Sequence, residues 1–332
     1  MAGIGKRMRP HTLTVPKPLL HVAGKPIVQR LVEDIAKVVN EPLNEIAFIV
    51  GPSEQFFGKE IQAHLLEVAE KLGAKGSINV QHEALGTAHA IYQAKQALDG
   101  NVIVAFADTL FRADFKLDAS VDGTIWVKEV EDPRAFGVVQ LDDEETIIDF
   151  VEKPENPESN LAIIGIYYFK DGASVLREIE YLLDNDIREK GEYQLTNVLD
   201  SLKNQGCKFV PGKVEEWWDC GNKNATINTN QRVLANISDE KLVSDQITNE
   251  GSEIIEPCFI GKNVKLINAK VGPYVSIGEG SVIENSTLEN TIIYSNALIQ
   301  NAAMKNSMIG NYVEYDGSAK ELSLSDYSTQ KD

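Results

Sequence analysis

Residues 2–19 read AGIGKRMRPHTLTVPKPL, and this glycine-rich, cationic stretch decides how the rest of the chain is interpreted. Gly3 and Gly5 lie two apart, which lets backbone N–H groups approach a phosphate closely, and Arg7 follows with a side chain that can reach the same oxygens. The stretch lacks the GxxxxGK[ST] pattern of a Walker loop, and Met8 stands where a dinucleotide fingerprint needs its third glycine. It therefore predicts a compact polyanion site of another kind.

The charge around this stretch is unusual for the chain. Residues 1–30 contain six basic residues and no acidic one, whereas the whole chain carries a formal net charge of -18. The basic residues are Lys6, Arg7, Arg9, Lys17, Lys25 and Arg30. A solvated basic face would explain them as well, but the interleaved glycines and prolines favour an anion site. The overall acidity argues against a nucleic acid as a partner.

Length and composition indicate a globular protein of two domains. The chain has 332 residues, of which 43% are hydrophobic and 25% charged, and this length exceeds what one hydrophobic core usually supports. No run of eighteen apolar residues and no signal-peptide pattern occurs, so we expect a cytoplasmic protein with no membrane partner. The three cysteines lack metal-ligand spacing and predict neither a disulfide framework nor a zinc site.

Residues 26–108 alternate between helical and strand patterns, which predicts βαβ units and a parallel sheet covered by helices. Predicted helices at 27–38, 61–72 and 87–98 alternate with apolar strands at 46–50, 78–81 and 102–107. Residues 123–170 predict several strands. Further helices are expected at 173–183, 193–202 and 222–236, with a strand near Phe209.

After about Ser238 the apolar residues recur at intervals of five or six. The series is Ile254, Ile260, Leu266, Val271, Ile277, Ile283, Leu288, Ile293, Ile299, Met304 and Ile309. Gly261, Gly272, Gly278 and Gly310 directly follow apolar positions, as tight corners between short strands require. This repeat predicts a parallel β-helix of a few coils. A sandwich of short strands is the alternative and would show alternation of period two.

The opening segment resembles the signature GxGxR(L/M)xPxTxxxPKP(L/M) of sugar-1-phosphate nucleotidyltransferases of the glucose-1-phosphate thymidylyltransferase and uridylyltransferase type. The matching residues are Gly3, Gly5, Arg7, Met8, Pro10, Thr12, Pro16, Lys17, Pro18 and Leu19. The resemblance implies an α/β, Rossmann-like catalytic domain with a mixed central sheet and a C-terminal hexapeptide-repeat β-helix. It also implies that a nucleoside triphosphate and a sugar-1-phosphate yield a nucleotide sugar and pyrophosphate.

The same resemblance assigns the nucleotide site. The loop of Ala2, Gly3 and Gly5 would wrap the triphosphate, while Arg7 and Lys17 would act as catalytic cations on the phosphates. A second motif, QxxxLGTA at residues 81–88, would read the base. The side chain of Gln81 would pair with a pyrimidine edge, and Gly86 and Thr87 would lie against it. Guanylyl-specific relatives commonly lack this glutamine, so dTTP or UTP is favoured over GTP.

Two aspartates would bind Mg²⁺ by the same resemblance. Asp108 follows the apolar run 102–107, so we expect it at the C-terminal edge of a buried parallel strand, where α/β sheets bind ligands. Asp219 lies in WWDCG at residues 217–221, which resembles the WxDxG element of the family. Two carboxylates, substrate phosphates and water suffice for Mg²⁺.

The sugar side resembles the FGVV, EKP and AxxGxY elements at residues 136–139, 152–154 and 162–167. The resemblance implies that Glu152 accepts hydrogen bonds from sugar hydroxyls and that Lys153 binds the sugar phosphate as a third catalytic cation. The glycines and the remaining acid of the implied sugar-phosphate site are Gly137, Gly165 and Glu192.

The predicted domains are a catalytic domain at 1–240 and a left-handed parallel β-helix with a polar tail at 241–332. The family has an apolar strand before the glycine loop, and since this chain begins on the loop, we expect the natural protein to extend further upstream. The β-helix predicts a homo-oligomer. All five histidines precede residue 90, so the β-helix is not expected to be an acetyltransferase.

Three other functions stay open at this point. One is a mannose-1-phosphate guanylyltransferase. Another is a non-catalytic regulatory subunit that binds nucleotide sugars, although such proteins would be expected to lose a metal ligand or the loop arginine. The third is a solenoid scaffold. The identity of the sugar cannot be read from the sequence, because it depends on a few pocket contacts.

Overall fold

Six α-helices alternate with short strands in the part of the chain that the computed structural model describes, which is residues 5–39, 41–52, 54, 56–113, 117–118 and 120–318. The helices are α1 (Ile27–Val39), α2 (Lys59–Lys71), α3 (Thr87–Tyr92), α4 (Gly172–Asp184), α5 (Leu195–Asn204) and α6 (Lys223–Asn236). Single 3-10 turns occur at Lys6–Met8, His11–Leu13, Lys17–Leu19 and Lys95–Ala97.

Twelve strands precede the C-terminal repeats in the described ranges. They are β1 (His21–Val22), β2 (Lys25–Pro26), β3 (Glu45–Val50), β4 (Lys75–Val80), β5 (Val102–Ala105), β6 (Thr109–Arg112), β7 (Gly123–Glu129), β8 (Gly137–Leu141), β9 (Ile147–Glu152), β10 (Leu161–Phe169), β11 (Phe209–Lys213) and β12 (Glu216–Asp219).

The described residues divide into two compact units. The first is formed by residues 31–217, and the second joins residues 5–30 to residues 218–318. Residues 5–30, the described part of the opening segment, therefore belong to the same unit as the C-terminal repeats. The catalytic-domain boundary near residue 240 stays a prediction.

The first unit is built on a mixed sheet, as predicted. Its strand order is β11-β7-β10-β8-β9, with β5 also paired to β10. β11 runs parallel to β7, whereas β10 is antiparallel to β5, β7 and β8. β3 and β4 form a separate parallel pair.

Strand β10 is the centre of this unit because its sequence, LAIIGIYYF, is apolar almost throughout. All of its residues after Leu161 are buried, as expected of a strand covered on both faces. Gly165 has a φ of +84°, and the pairing with β7 shifts register between Ile163 and Tyr167. The glycine thus permits a bulge in the middle of the sheet.

Helices α3, α4 and α5 contribute buried apolar side chains to the same core as this sheet. Helix α4 begins where the Asp171 carboxylate accepts hydrogen bonds from the backbone N–H groups of Ala173 and Ser174, at 3.1 and 3.3 Å. Such a cap satisfies donors that the first helical turn leaves unpaired.

Two details of the predicted α/β pattern are corrected. Helix α3 ends at Tyr92 rather than near residue 98, and a 3-10 turn continues the chain. Ala94 leaves helical geometry at φ -101° and ψ 26°, a break that apolar spacing does not reveal. Strand β5 is not a buried parallel strand, because it pairs antiparallel with β10 and its residues are half-buried.

The C-terminal repeats form thirteen short strands over the described residues 248–316. They are β13 (Thr248–Glu250), β14 (Glu253–Ile254), β15 (Phe259–Ile260), β16 (Lys265–Ile267), β17 (Lys270–Val271), β18 (Ser276–Ile277), β19 (Val282–Glu284), β20 (Thr287–Glu289), β21 (Ile292–Ile293), β22 (Leu298–Gln300), β23 (Ala303–Lys305), β24 (Met308–Ile309) and β25 (Glu314–Asp316).

These strands stack into three parallel sheets, as a β-helix requires. The orders are β13-β16-β19-β22-β25, β14-β17-β20-β23 and β15-β18-β21-β24. The repeated apolar positions from the sequence form the interior, and Ile260, Leu266, Val271, Ile277, Ile283, Leu288 and Ile299 are fully buried. The predicted parallel β-helix is confirmed, and the alternative of a sandwich of short strands is wrong. Its left-handed sense stays a prediction.

Asparagines at the corners of the coils were not anticipated. Asn263, Asn268, Asn285, Asn290, Asn296, Asn301 and Asn306 all have positive φ. Asparagine tolerates this conformation better than other residues with a Cβ. These asparagines also bond from one coil to the next, since the Asn290 side-chain NH₂ donates to the Asn306 side-chain oxygen at 2.7 Å.

Candidate active site

The described part of the signature segment, from Gly5 onwards, folds back on itself in the second unit. Gly5 has a φ of +62°, and the Thr12 hydroxyl donates to the Gly5 carbonyl at 2.8 Å. A Cβ on Gly5 would lie 3.1 Å from side-chain carbons of Lys17 and Thr12. The two ends of the signature therefore meet at Gly5. Ala2 and Gly3, the other predicted loop residues, lie outside the described residues.

The two predicted cations of this segment differ in exposure. Arg7 is exposed, whereas only 7% of Lys17 is accessible. A lysine is rarely buried so deeply unless its charge is compensated. The Pro-Lys-Pro sequence holds this side chain against the loop, because Lys17 and both following residues are buried in one 3-10 turn.

Asp219 is the last residue of β12 and directly precedes the segment that leads into α6. Its carboxylate accepts a hydrogen bond from the Gly221 backbone N–H at 2.8 Å, and a Cβ on Gly221 would lie 2.7 Å from the same carboxylate. The Thr229 hydroxyl donates to the Asp219 carbonyl at 2.8 Å. The side-chain carboxylate and the backbone carbonyl of Asp219 are thus each fixed by a hydrogen bond of their own. A side chain at residue 221 would therefore have to displace the Asp219 carboxylate.

The predicted base-reading motif lies in the first unit, between β4 and α3. Gln81 is buried, and its side-chain NH₂ donates to the Gly86 carbonyl at 3.2 Å and contacts the Nδ1 of His89 at 3.1 Å. If Nδ1 is the acceptor, both amide protons have protein partners and the side-chain oxygen is the atom that can address a base. His89 was not anticipated, although it directly follows the motif.

The turn before α3 is clamped to the segment 192–195. Gly86 has a φ of +116°, and a Cβ there would lie 2.4 Å from the Tyr193 carbonyl oxygen. Tyr193 also donates its backbone N–H to Leu85 at 2.8 Å. The Thr87 hydroxyl accepts from the Leu195 backbone N–H at 2.9 Å. The structure therefore brings Gly86 and Thr87 together with the predicted Glu192 element.

Asp108 is placed in the turn between β5 and β6, three residues beyond the end of β5, and is half-buried. The turn is fixed from both sides. Phe106 donates its backbone N–H to the Gly165 carbonyl at 2.8 Å, and Trp217 donates its indole N–H to the Thr109 hydroxyl at 2.6 Å. Asp108 therefore belongs to the first unit, and Asp219 belongs to the second.

Three of the predicted sugar-site residues, Gly137, Glu152 and Lys153, lie together at the β8–β9 pair. Gly137 lies opposite Glu152, and a Cβ on Gly137 would lie 3.1 Å from the Glu152 carboxylate and 3.5 Å from Thr196. The Glu152 side chain is 14% exposed and that of Lys153 is 53% exposed, with 3.3 Å between their charged atoms. Burial and the nearby Glu152 charge raise the pKa of Tyr167. Gly137 thus keeps space open beside a mostly buried carboxylate.

Lys190 is a functional candidate that the sequence did not reveal. Its ammonium group donates to the backbone carbonyls of Glu152 and Lys153, each at 3.1 Å. Lys153 has a φ of +46°, which is unfavourable for a residue with a side chain. Because Lys190 lies 37 residues away in the sequence, no local pattern links it to this turn.

The donor chemistry of the two predicted metal ligands fits Mg²⁺, a hard cation that takes one or two carboxylates with phosphates and water. Within the described ranges, no group of three or more His, Cys, Asp or Glu residues is suited to hold a metal. Mg²⁺ bound in this manner needs no such cluster, so Asp108 and Asp219 remain its predicted ligands.

No helix in the described part of the chain is long and apolar enough to cross a bilayer.

Comparisons with known proteins agree on one family. The nucleotidyl transferase family matches residues 1–236. The low-salt glycan biosynthesis nucleotidyltransferase Agl11 of Haloferax volcanii is 31% identical over 306 residues, which cover 85% of this chain and 82% of the relative. A glucose-1-phosphate thymidylyltransferase of Streptomyces antibioticus is 28% identical over 300 residues, covering 83% of this chain and 81% of the relative. A nucleoside-diphosphate-sugar pyrophosphorylase structure from Vibrio cholerae RC9 shares the fold, with a TM-score of 0.58 at 22% identity over 70% of this chain and 98% of that one.

Proposed function

The chain belongs to the nucleotidyl transferase family, and from this premise we propose that it couples a nucleoside triphosphate to a sugar-1-phosphate and releases pyrophosphate. The observation that carries the proposal is the folded signature segment. Its two ends meet at Gly5, where a compact backbone turn lies against the deeply buried Lys17. A turn of this kind with a fixed cation suits the phosphates of a nucleotide.

We propose dTTP or UTP as the nucleotide. The side-chain oxygen of Gln81 can accept the N3–H of thymine or uracil, which cytosine lacks. The buried NH₂ contacts to Gly86 and His89 hold that oxygen in one orientation. The thymidylyltransferase among the relatives supports the same choice.

For the sugar phosphate, we propose that Glu152 accepts hydrogen bonds from ring hydroxyls and that Lys153 binds the phosphate. Gly137 and Gly165 leave space for the ring, and Glu192 borders the pocket. The mostly buried carboxylate beside Gly137 supports this assignment, since a partly desolvated acceptor discriminates strongly for a hydroxyl donor.

The proposed reaction needs no general base. An anionic oxygen of the sugar phosphate attacks the α-phosphorus in line, a new P–O bond forms, and the bond to the β-phosphate breaks with release of pyrophosphate. Arg7 and Lys17 stabilise charge on the departing pyrophosphate, and Lys153 orients the attacking phosphate. Asp108 and Asp219 would hold Mg²⁺, which supplies charge neutralisation on the phosphates.

The predictions of a homo-oligomer through the β-helix and of a cytoplasmic location are kept as part of this proposal. Size-exclusion chromatography with light scattering tests the oligomer directly. A monomer mass at micromolar concentration would refute it.

The experiment that tests the proposed substrates is a pyrophosphate-release assay of the full chain. Each of ATP, CTP, GTP, UTP and dTTP is combined with glucose-, N-acetylglucosamine- and mannose-1-phosphate in Mg²⁺. We expect dTTP or UTP to give the highest kcat/KM. A preference for GTP with mannose-1-phosphate would instead support the guanylyltransferase, and no release with any pair would support a non-catalytic binding protein.

A further inference from the structure

Helix α6 carries a row of polar side chains that face inward. Thr226, Thr229 and Asn230 are 0%, 2% and 0% exposed, and the spacing of three and four residues places them on one helical face. Apolar residues usually occupy such positions, because each buried polar group costs free energy unless it is hydrogen-bonded. The contacts of these three side chains therefore decide what this face does.

Two of these three side chains, those of Thr226 and Thr229, touch segments of the proposed active site. Thr229 donates to the Asp219 carbonyl at 2.8 Å. Thr226 donates to the Asn222 carbonyl at 2.9 Å, and its hydroxyl lies 3.6 Å from the sulfur of Met8 in the glycine loop. The inner face of α6 is thus in contact with both the loop and the backbone of Asp219.

The third residue connects these segments to the β-helix. The side-chain oxygen of Asn230 accepts the Ala23 backbone N–H at 2.8 Å and the Ser276 hydroxyl at 2.7 Å. Its NH₂ donates to the Tyr274 carbonyl at 3.4 Å. Ala23 lies in the turn between β1 and β2, five residues after the end of the Pro-Lys-Pro segment, and Ser276 begins β18. One buried amide therefore joins α6, the N-terminal segment and a coil of the β-helix.

Independent contacts fix the same N-terminal segment to the β-helix. Gly24 approaches the ring of Phe259 so closely that a Cβ would lie 2.2 Å from it. The rings of His11 and His21 lie edge-on to Tyr294, with centroids 6.3 and 6.5 Å away. The phosphate-binding segment is therefore packed against the β-helix at three points along the sequence.

We propose that the β-helix positions the phosphate-binding segment for nucleotidyl transfer, and that Asn230 and Ser276 are the positioning residues that connect them. The inference rests on the proposed function for its kinetic consequence, although the physical connection can be measured without it. Ser276 acts only through Asn230, and both residues lie outside the proposed substrate contacts.

Hydrogen exchange of the full chain measures the connection directly. In Ser276→Ala, the amides of residues 19–26 should exchange roughly three- to tenfold faster, as expected for the loss of one ordinary hydrogen bond. Asn230→Ala should give a larger effect over the same residues. The matched control is Ser286→Ala, because Ser286 is equally buried and its hydroxyl bonds within the β-helix to the Glu284 carbonyl at 2.6 Å. It should leave residues 19–26 unchanged.

Kinetics distinguish positioning from general destabilisation. At a temperature where all variants are folded by circular dichroism, Ser276→Ala should lower kcat about three- to tenfold with KM for the triphosphate changed less than about twofold. In the Asn230→Ala background the same substitution should have no further effect. Ser286→Ala should keep the wild-type kcat.

The outcomes separate the two proposals. Unchanged exchange at residues 19–26 in both Ser276→Ala and Asn230→Ala would overturn the inference, whatever the enzyme does. Altered exchange in a protein that turns over no nucleotide would refute the proposed function and its kinetic consequence but support the physical connection. Equal losses of kcat in Ser276→Ala and Ser286→Ala would overturn the positioning role.

Discussion

The α-carbon of Gly86 lies against the backbone of Tyr193, so that a Cβ on Gly86 would be 2.4 Å from the Tyr193 carbonyl oxygen. The two residues are far apart in the sequence, yet the turn of the base-reading motif and the start of the sugar-side helix element share this contact. Backbone atoms on both sides leave no flexible group that could move away. The first unit therefore has little freedom to separate these two elements.

A Gly86→Ala substitution should destabilise the first unit strongly. The side chain would meet the Tyr193 backbone and would also occupy a φ of +116°, so we expect a loss of more than about 3 kcal/mol in the free energy of unfolding. Gly73→Ala is the control, because Gly73 has a φ of +76° but nothing within 4 Å of its Cβ position. It should cost only about 1 kcal/mol. Urea unfolding measures both, and equal midpoints would contradict the expected clash.

Lys190 should control the affinity for the sugar phosphate through the turn that carries Glu152 and Lys153. Lys190→Met removes both hydrogen bonds to the turn and should raise the KM for the sugar phosphate about tenfold. Lys190→Arg keeps a hydrogen-bond donor at this position and should bring the KM most of the way back to the wild-type value. Lys170→Met is the matched control, since Lys170 also donates to a backbone carbonyl, that of Ser120 at 3.0 Å. An unchanged KM in Lys190→Met would refute this role.

His11 should make folding stability depend on pH. Burial, with a contribution from the positive charge of Lys223, lowers the pKa of His11 from 6.5 to about 4. The unfolded chain therefore binds more protons than the folded chain between these values. The stabilising contribution is complete above pH 6.5 and is lost as the pH falls towards 4, by on the order of 3 kcal/mol.

Urea unfolding from pH 7.5 to pH 4.5 tests this dependence. The wild type should lose more stability over this range than His11→Gln, which cannot be protonated. The carboxylates titrate in both proteins and cancel in the difference. Parallel curves for the two proteins would show that His11 is not held neutral.

The β-helix could be predicted from the sequence because its coils have one inward position at a regular interval. Ile260, Ile277 and Ile293 repeat in sequence and lie in register in one sheet. Mixed α/β architecture was predictable for a similar reason, since apolar runs and helical spacing are local patterns. The direction of β5 was not, because a short apolar run looks the same in a parallel or an antiparallel pair.

The connections between distant segments could not be predicted in this way. Lys190 is one of many surface lysines until the fold brings it to the Glu152–Lys153 turn. Thr229 and Asn230 look like exposed helix residues, because a polar residue at a helical position carries no sign of burial in the sequence. Such contacts group the N-terminal segment with the β-helix in one compact unit. This grouping could therefore be recognised only in the three-dimensional structure.

Replacing either proposed metal ligand should abolish turnover without unfolding the chain. Asp108→Asn and Asp219→Asn keep side-chain volume but remove a charge that Mg²⁺ would need, so we expect kcat to fall by at least about a hundredfold with unchanged circular dichroism. Asp132→Asn is the control, because Asp132 is exposed and pairs with Arg134. It should retain full activity. Wild-type rates in Mg²⁺ for either Asp108→Asn or Asp219→Asn would remove that residue from the metal site.

The most direct measurement of the central claim is ³¹P NMR of the full chain incubated with dTTP, glucose-1-phosphate and Mg²⁺, and in parallel with UTP. Transfer to the sugar phosphate predicts loss of the monoester signal together with equal growth of pyrophosphate and of two coupled diphosphate signals from a nucleotide sugar. If the triphosphate instead released orthophosphate, or if all signals stayed unchanged across the sugar-1-phosphates tested, the proposed nucleotidyl transfer would be wrong.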